Sequence, residues 1–291
     1  MKIVLSLSHG KHLGKNIASK IKAGHSDLFV QKFPDDELRI RIQTNVKGKE
    51  VYLVQSFYKE ISDCIIETIL AANTAKELGA KKVHLIAPYF PYLRQDKRFN
   101  NGESVSQYII AGMIDKCCDS VTILDPHLHR TKSLAEIFKA KTIKLSCNEL
   151  IVDYIKKNVK NAVCIGPDGE SYKWAKFVGD MIGVESRVMA KTRYSSFHVK
   201  VKLNKTIDLK GKTVVIIDDI VSTGHTIIEA SKLLRKIGAK KILCICVHAI
   251  LVNDALKKFK KANIELVSCN TIPNEKMKID VSGLIGGKII T

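Results

Sequence analysis

The sequence predicts an α/β protein built from two similar domains, each a mainly parallel sheet flanked by helices. Two observations predict it. Strand and helix signals alternate along the 291 residues, a length that accommodates two ordinary domains. The chain also echoes itself. "GKEVYLVQS" (Gly48–Ser56) matches "GKTVVIIDD" (Gly211–Asp219), and "KELGAKKVHLI" (Lys76–Ile86) matches "RKIGAKKILCI" (Arg235–Ile245), in the same order and at similar separation. Each pair reads as strand, loop, helix, glycine turn, strand. The expected domains are 1–146 and 147–291.

The elements follow in chain order. "MKIVLSLSHGKHLGK" has a short apolar run before His and Lys, so it reads as a first strand and not as a secretion signal. Gly10–Lys15 lacks the glycine–lysine spacing of a nucleotide P-loop and reads as a strand-to-helix turn. Gly48–Ser56 is the next repeated strand, and Gly79 ends the helix after it. In the second copy, Val214–Ile217 is a continuous apolar run, as in a parallel strand covered on both faces. Asp218 and Asp219 follow at its carboxyl end, where ligands of open α/β sheets sit. Ser222, Thr223, Gly224 and Thr226 then offer hydroxyls and backbone N–H groups at the start of a helix, an anion site. These residues would equally suit a plain helix cap. The helix from about Thr226 places Ile227, Ile228, Ala230, Leu233, Leu234 and Ile237 on its apolar positions and stops at Gly238. The first copy has Gln55 and Ser56 in place of the aspartates and lacks the "STGHT" loop. A phosphate held by the loop with carboxylates beside it describes a sugar phosphate.

Composition narrows the class. Lys and Arg number 48 against 29 Asp and Glu, a formal charge of +19 that favours anionic partners. The lysines are scattered, so a solvated basic surface explains them as readily. No aromatic-plus-basic RNA-binding motif is present, which argues against nucleic acid. None of the eight cysteines shows metal-site spacing, and Cys244 and Cys246 alternate as core residues do. No apolar run has the length of a membrane span. The expectation is a cytoplasmic protein with reduced thiols.

Val214–Thr226 resembles the phosphoribosyl-pyrophosphate motif of type I phosphoribosyltransferases and ribose-phosphate pyrophosphokinases. "FPDDELRI" (Phe33–Ile40), "PYFPYLRQDKRF" (Pro88–Phe99), "DPHLH" (Asp125–His129), "GPDGES" (Gly166–Ser171) and "KTR" (Lys191–Arg193) resemble the pyrophosphokinases specifically and occur in that family's order. The resemblance covers nearly the whole chain and implies two phosphoribosyltransferase-like domains. It implies an enzyme, ribose-phosphate diphosphokinase, that transfers pyrophosphate from Mg-ATP to the 1-hydroxyl of ribose 5-phosphate. Phe33 would stack on adenine, with Asp35 and Glu37 accepting hydrogen bonds near the base. Arg94 and Gln95 would contact the ATP phosphates, with Asp96 and Arg98 supporting them. His127 and Asp168 would lie on the Mg2+ side, and Lys191 and Arg193 would be the catalytic pair. Ser222, Thr223, Gly224, His225 and Thr226 would hold the 5-phosphate, and Asp218 and Asp219 the sugar hydroxyls. The family commonly has Gly where this chain has Asp36, so a left-handed backbone there would cost more. The family also implies a homo-oligomer based on dimers. The alternatives are a phosphoribosyltransferase that consumes the same product, or a non-catalytic regulator on the same fold.

Overall fold

The structure, a computed structural model, describes residues 1–193, 199–203 and 207–290; the side chains of 190–193 and 199–203 lie outside the described set. The chain forms two compact units. One comprises residues 1–145 with the final helix, and the other residues 146–281.

The first unit is a six-stranded parallel sheet. It contains β1 (Lys2–Ser6), β2 (Gly24–Asp27), β5 (Glu50–Val54), β6 (Lys82–Ala87), β7 (Ser120–Leu124) and β8 (Lys141–Leu145), in the order β2-β1-β5-β6-β7-β8. Its central strands are mainly apolar because helices cover both faces; Val51, Leu53, Val83 and Leu85 have no exposure. Helices α1 (Lys11–Lys20), α2 (Ile61–Glu77) and α3 (Ser106–Asp115) supply the cover. Phe57, Phe90 and Phe138 join ring to ring, 5.5 and 5.3 Å between centroids, beside α2 and α3 residues in one core. A separate antiparallel hairpin, β3 (Phe29–Lys32) with β4 (Leu38–Arg41), carries the "FPDDE" turn.

The second unit begins with α4 (Asn148–Asn158). Its seven-stranded sheet contains β9 (Ala162–Gly166), β10 (Ser186–Arg193), β11 (Val199–Leu203), β12 (Thr213–Val221), β13 (Lys241–Ala249), β14 (Ile264–Cys269) and β15 (Met277–Ile279). The order is β11-β10-β9-β12-β13-β14-β15, parallel except for β10 with β11. Helices α5 (Tyr172–Ile182), α6 (His225–Lys236) and α7 (Ala255–Lys261) complete it.

The repeat in the sequence is a repeat in the fold. Five strands of the first sheet, β2-β1-β5-β6-β7, recur as β10-β9-β12-β13-β14. The register recurs too. Glu50 faces Lys82, and their counterparts Thr213 and Lys241 face each other. All eight cysteines are buried free thiols.

Two features depart from the sequence reading. Helix α8 (Ser282–Ile290), expected with the second domain, belongs to the first unit. It packs on α1, and Lys2 Nζ donates to the Ile289 carbonyl at 3.3 Å. Strand β12 does not end at Ile217. It runs on to Val221, where Ile220 and Val221 pair with His248 and Ala249, so Asp218 and Asp219 lie within the strand. Extended backbone admits isolated polar residues without breaking a ladder, so the apolar run alone under-counted its length.

Candidate active site

In the first unit, three loops carry the expected residues. Phe33 and Glu37 close the β3–β4 turn, where the Phe33 N–H donates to the Glu37 carbonyl at 2.8 Å. Phe33 is 39% exposed, a large apolar ring presented to solvent. The Glu37 N–H donates weakly to Asp35 at 3.4 Å. Asp36 has φ +70°, a left-handed conformation that favours glycine. Lys32 steadies the turn by pairing with Asp36 at 3.2 Å and with Asp63 of α2 at 2.9 Å.

The Arg94–Arg98 loop follows β6. Arg94, Gln95 and Arg98 are exposed, as suits groups that meet a soluble anion. Asp96 instead turns inward, its side chain 3% exposed, and accepts both hydrogen bonds of Arg130 at 2.8 Å. Arg130 lies just after His127, so one ion pair, Arg130 Nη1 to both Asp96 oxygens, ties the Arg94–Arg98 loop to the His127 loop. The sequence reading missed Arg130; its spacing from "DPHLH" was the available signal. Asp125, whose φ is +34°, is 6% exposed at the base of that loop. Under the Arg94–Arg98 loop, Gln107 of α3 is 1% exposed, and both ends of its amide lack a partner.

The second unit gathers Asp168, Asp218, Asp219 and the loop 222–226 at adjoining strand ends. Asp168 Oδ1 accepts the Ser171 N–H at 3.0 Å and holds the start of α5. Asp218 Oδ1 accepts the Ser171 hydroxyl at 2.8 Å and the Asp219 N–H at 3.0 Å. Asp219, 5% exposed, accepts the Ile220 N–H at 2.8 Å. Asp218 is only partly exposed, and desolvation pushes its carboxyl well above the usual carboxylate range; the charges of Asp219 and Asp168 push the same way, while Ser171 pulls it back. Gly224 is the residue before α6, with φ +73°. A Cβ there would stand 2.4 Å from Phe259 Cε1 of α7, so the loop is pressed against the core by a glycine. Ser222, Thr223 and Thr226 are half-buried and His225 is exposed. The first-turn N–H groups of α6 open toward this loop, as at any helix start. Lys191 and Arg193 lie on β10 opposite Val201 and Val199 of β11, and their side chains fall outside the described residues.

The first unit's counterpart of this corner is filled from within. Glu67 of α2, 2% exposed, accepts the Ser8 N–H at 2.8 Å, the Ser8 hydroxyl at 3.1 Å and the Gln55 amide at 3.1 Å. Burial raises its carboxyl pKa, and these three donors lower it. An internal carboxylate thus occupies the strand-end corner that in the second unit stands beside the 222–226 loop.

Comparison with known proteins finds two domain models along the chain. A family model described as the N-terminal domain of ribose phosphate pyrophosphokinase matches residues 1–117, and the phosphoribosyl transferase domain model matches residues 133–282. A ribose-phosphate pyrophosphokinase of Pyrococcus furiosus is 33% identical over 274 residues, covering 94% of this chain and 95% of its own. One from Methanothermobacter thermautotrophicus is 34% identical over 284 residues, covering 97% and 98%. The crystal structure of phosphoribosylpyrophosphate synthetase from Mycobacterium smegmatis has the same fold, with a TM-score of 0.86 at 24% identity over 99% of this chain and 98% of that one.

Proposed function

The chain belongs to the ribose-phosphate pyrophosphokinase family, and from that premise we propose which of its residues make 5-phosphoribosyl 1-pyrophosphate and how. The enzyme transfers the pyrophosphoryl group of Mg-ATP to the 1-hydroxyl of ribose 5-phosphate. The new bond joins the sugar O1 to the β-phosphorus; the bond from the β-phosphorus to the α,β-bridging oxygen breaks, and AMP leaves.

The observation that best supports the residue assignment is the asymmetry between the two strand-end corners. Of these two corners, the second unit's combines a half-buried, hydroxyl-rich loop at a helix start with carboxylates beside it. Ser222, Thr223, Gly224, His225 and Thr226 bind the 5-phosphate through the α6 N-terminus. Asp218 and Asp219 accept hydrogen bonds from the ribose hydroxyls. In the first unit Phe33, Asp35 and Glu37 receive the adenine. Arg94 and Gln95 pair with the polyphosphate, held in place by Asp96, with Arg98 beside them. Lys191 and Arg193 meet the charge that moves toward the departing AMP oxygen; such contacts raise kcat more than affinity.

His127 is assigned to the polyphosphate side of Mg-ATP and Asp168 to the metal side near the sugar. The residues fit Mg2+. Carboxylate oxygens are the hard donors it prefers, and Asp168 and Asp218 stand close enough for the Ser171 hydroxyl to lie 2.8 Å from each. When bound, the cation neutralises polyphosphate charge as the β-phosphorus is attacked. A dimer-based homo-oligomer is proposed, supported by the exposed Ile66 and Leu70 of α2 and Tyr108 and Ile109 of α3. No described helix is long and apolar enough to cross a membrane. With eight reduced cysteines, a cytoplasmic location is proposed.

The test is incubation with ribose 5-phosphate, Mg2+ and ATP. Equimolar AMP and pyrophosphorylated sugar are expected. Release of inorganic pyrophosphate from added 5-phosphoribosyl 1-pyrophosphate and a nucleobase, with ATP and ribose 5-phosphate left unconsumed, would instead indicate a phosphoribosyltransferase.

A further inference from the structure

Ser171 immediately precedes α5, where a serine hydroxyl ordinarily caps the helix. It makes no such bond. The Asp168 carboxylate holds the helix start instead, through the Ser171 N–H. The Ser171 hydroxyl, on a residue 2% exposed, lies 2.8 Å from Asp168 Oδ1 and 2.8 Å from Asp218 Oδ1. A hydroxyl has one proton to give, and here two carboxylates compete for it. It therefore links the loop after β9 to β12 through acidic groups alone.

The other unit shows that this link recurs with different chemistry. Gln55 is the counterpart of Asp218 in the repeat, and its Oε1 accepts the His9 N–H at 2.9 Å from the loop after β1. Both units thus tie the first strand-to-helix loop to the same position at the end of the neighbouring strand. In the first unit the donor is main chain. In the second it is a side chain and the acceptor is ionisable, so a single substitution can remove the tie while leaving the backbone unchanged.

We propose that Ser171 is a positioning residue for the sugar site: it fixes the Asp218 carboxylate in the orientation that meets the ribose hydroxyls. This rests on the assignment of Asp218 to the sugar. Without the hydroxyl, the Asp219 N–H is the remaining donor to Asp218 Oδ1 among the bonds described above, and that donor lies on Asp218's own strand. The carboxylate then loses its only cross-loop restraint of that set.

The experiment is steady-state kinetics on Ser171→Ala, Asp218→Asn and the double variant, with melting temperatures recorded for each. Ser171→Ala is expected to raise KM for ribose 5-phosphate about tenfold, the scale of one hydrogen bond to a charged group, with KM for ATP unchanged. Asp218→Asn should raise the same KM. Adding Ser171→Ala to it should change nothing further, because Ser171 acts through Asp218. Ser171→Thr, which keeps the hydroxyl, should restore most of the affinity. If the alanine variant folds poorly, Ser171→Cys, close in size and a weaker donor, should show the same KM effect in smaller degree. An additive double variant, or a normal KM in a folded Ser171→Ala beside a raised one in Asp218→Asn, overturns the role of Ser171 alone. A normal KM in Asp218→Asn overturns the sugar assignment itself, and the inference with it.

Discussion

At the residue scale, the loop glycine Gly224 and the β10 lysine Lys191 separate what the sequence could reveal from what it could not. Gly224 was recognisable in "STGHT" as a place for close backbone approach. Phe259 was not, because the ring that demands it comes from α7, thirty-five positions on in the chain. Gly224→Ala should therefore lower stability before it lowers binding. The left-handed backbone costs about 1–2 kcal/mol for a side chain, and overpacking adds about 1–3 kcal/mol. Urea denaturation should give that loss, and Phe259→Leu should recover part of it; a wild-type midpoint for Gly224→Ala would mean that the contact is slack. Lys191 is the opposite case. Composition makes it one of 48 basic residues, and only the "KTR" resemblance distinguishes it. Lys191→Ala should cut kcat by roughly 10²-fold with both KM values little changed, as for loss of one preorganised charge contact. Near-normal turnover in a folded variant would remove it from the mechanism.

Elements show the same contrast on a longer span. Strands β5 and β12 were legible because parallel strands covered on both faces must be apolar. The end of β12 was not, since two adjacent aspartates interrupt the apolar run before Ile220 and Val221 and resemble the start of a loop. The β3–β4 hairpin carries backbone strain, because Asp36 takes φ +70° at its turn. Asp36→Gly removes that cost and forfeits an exposed pair with Lys32 that stabilises little. It should raise unfolding free energy by about 0.5–1 kcal/mol and leave KM for ATP no higher. A loss of stability on thermal melting would show that the pair with Lys32, rather than the backbone, dominates the turn.

For the whole molecule, the duplicated architecture was legible because two matches in order are hard to produce by chance. The division of labour was half legible: "IDDIVSTGHT" announced a ligand loop, while nothing local announced that Glu67 fills the other corner. Net charge belongs to this scale alone. Both substrates are anions and the chain carries +19, so kcat/KM for each should fall as potassium chloride is raised from 20 to 300 mM, about a Debye length of 20 Å shrinking below 6 Å. Flat values would mean that the scattered lysines create no steering field. The placement of α8 has a consequence during synthesis. The ribosome must translate all of residues 146–281 before it releases the helix that covers α1. Until then Ile21, which α8 approaches at Gly286, stays open to water. A nascent or prematurely terminated chain therefore displays an apolar face on its first-made half, a mark that chaperones and proteases can read and that the finished chain conceals.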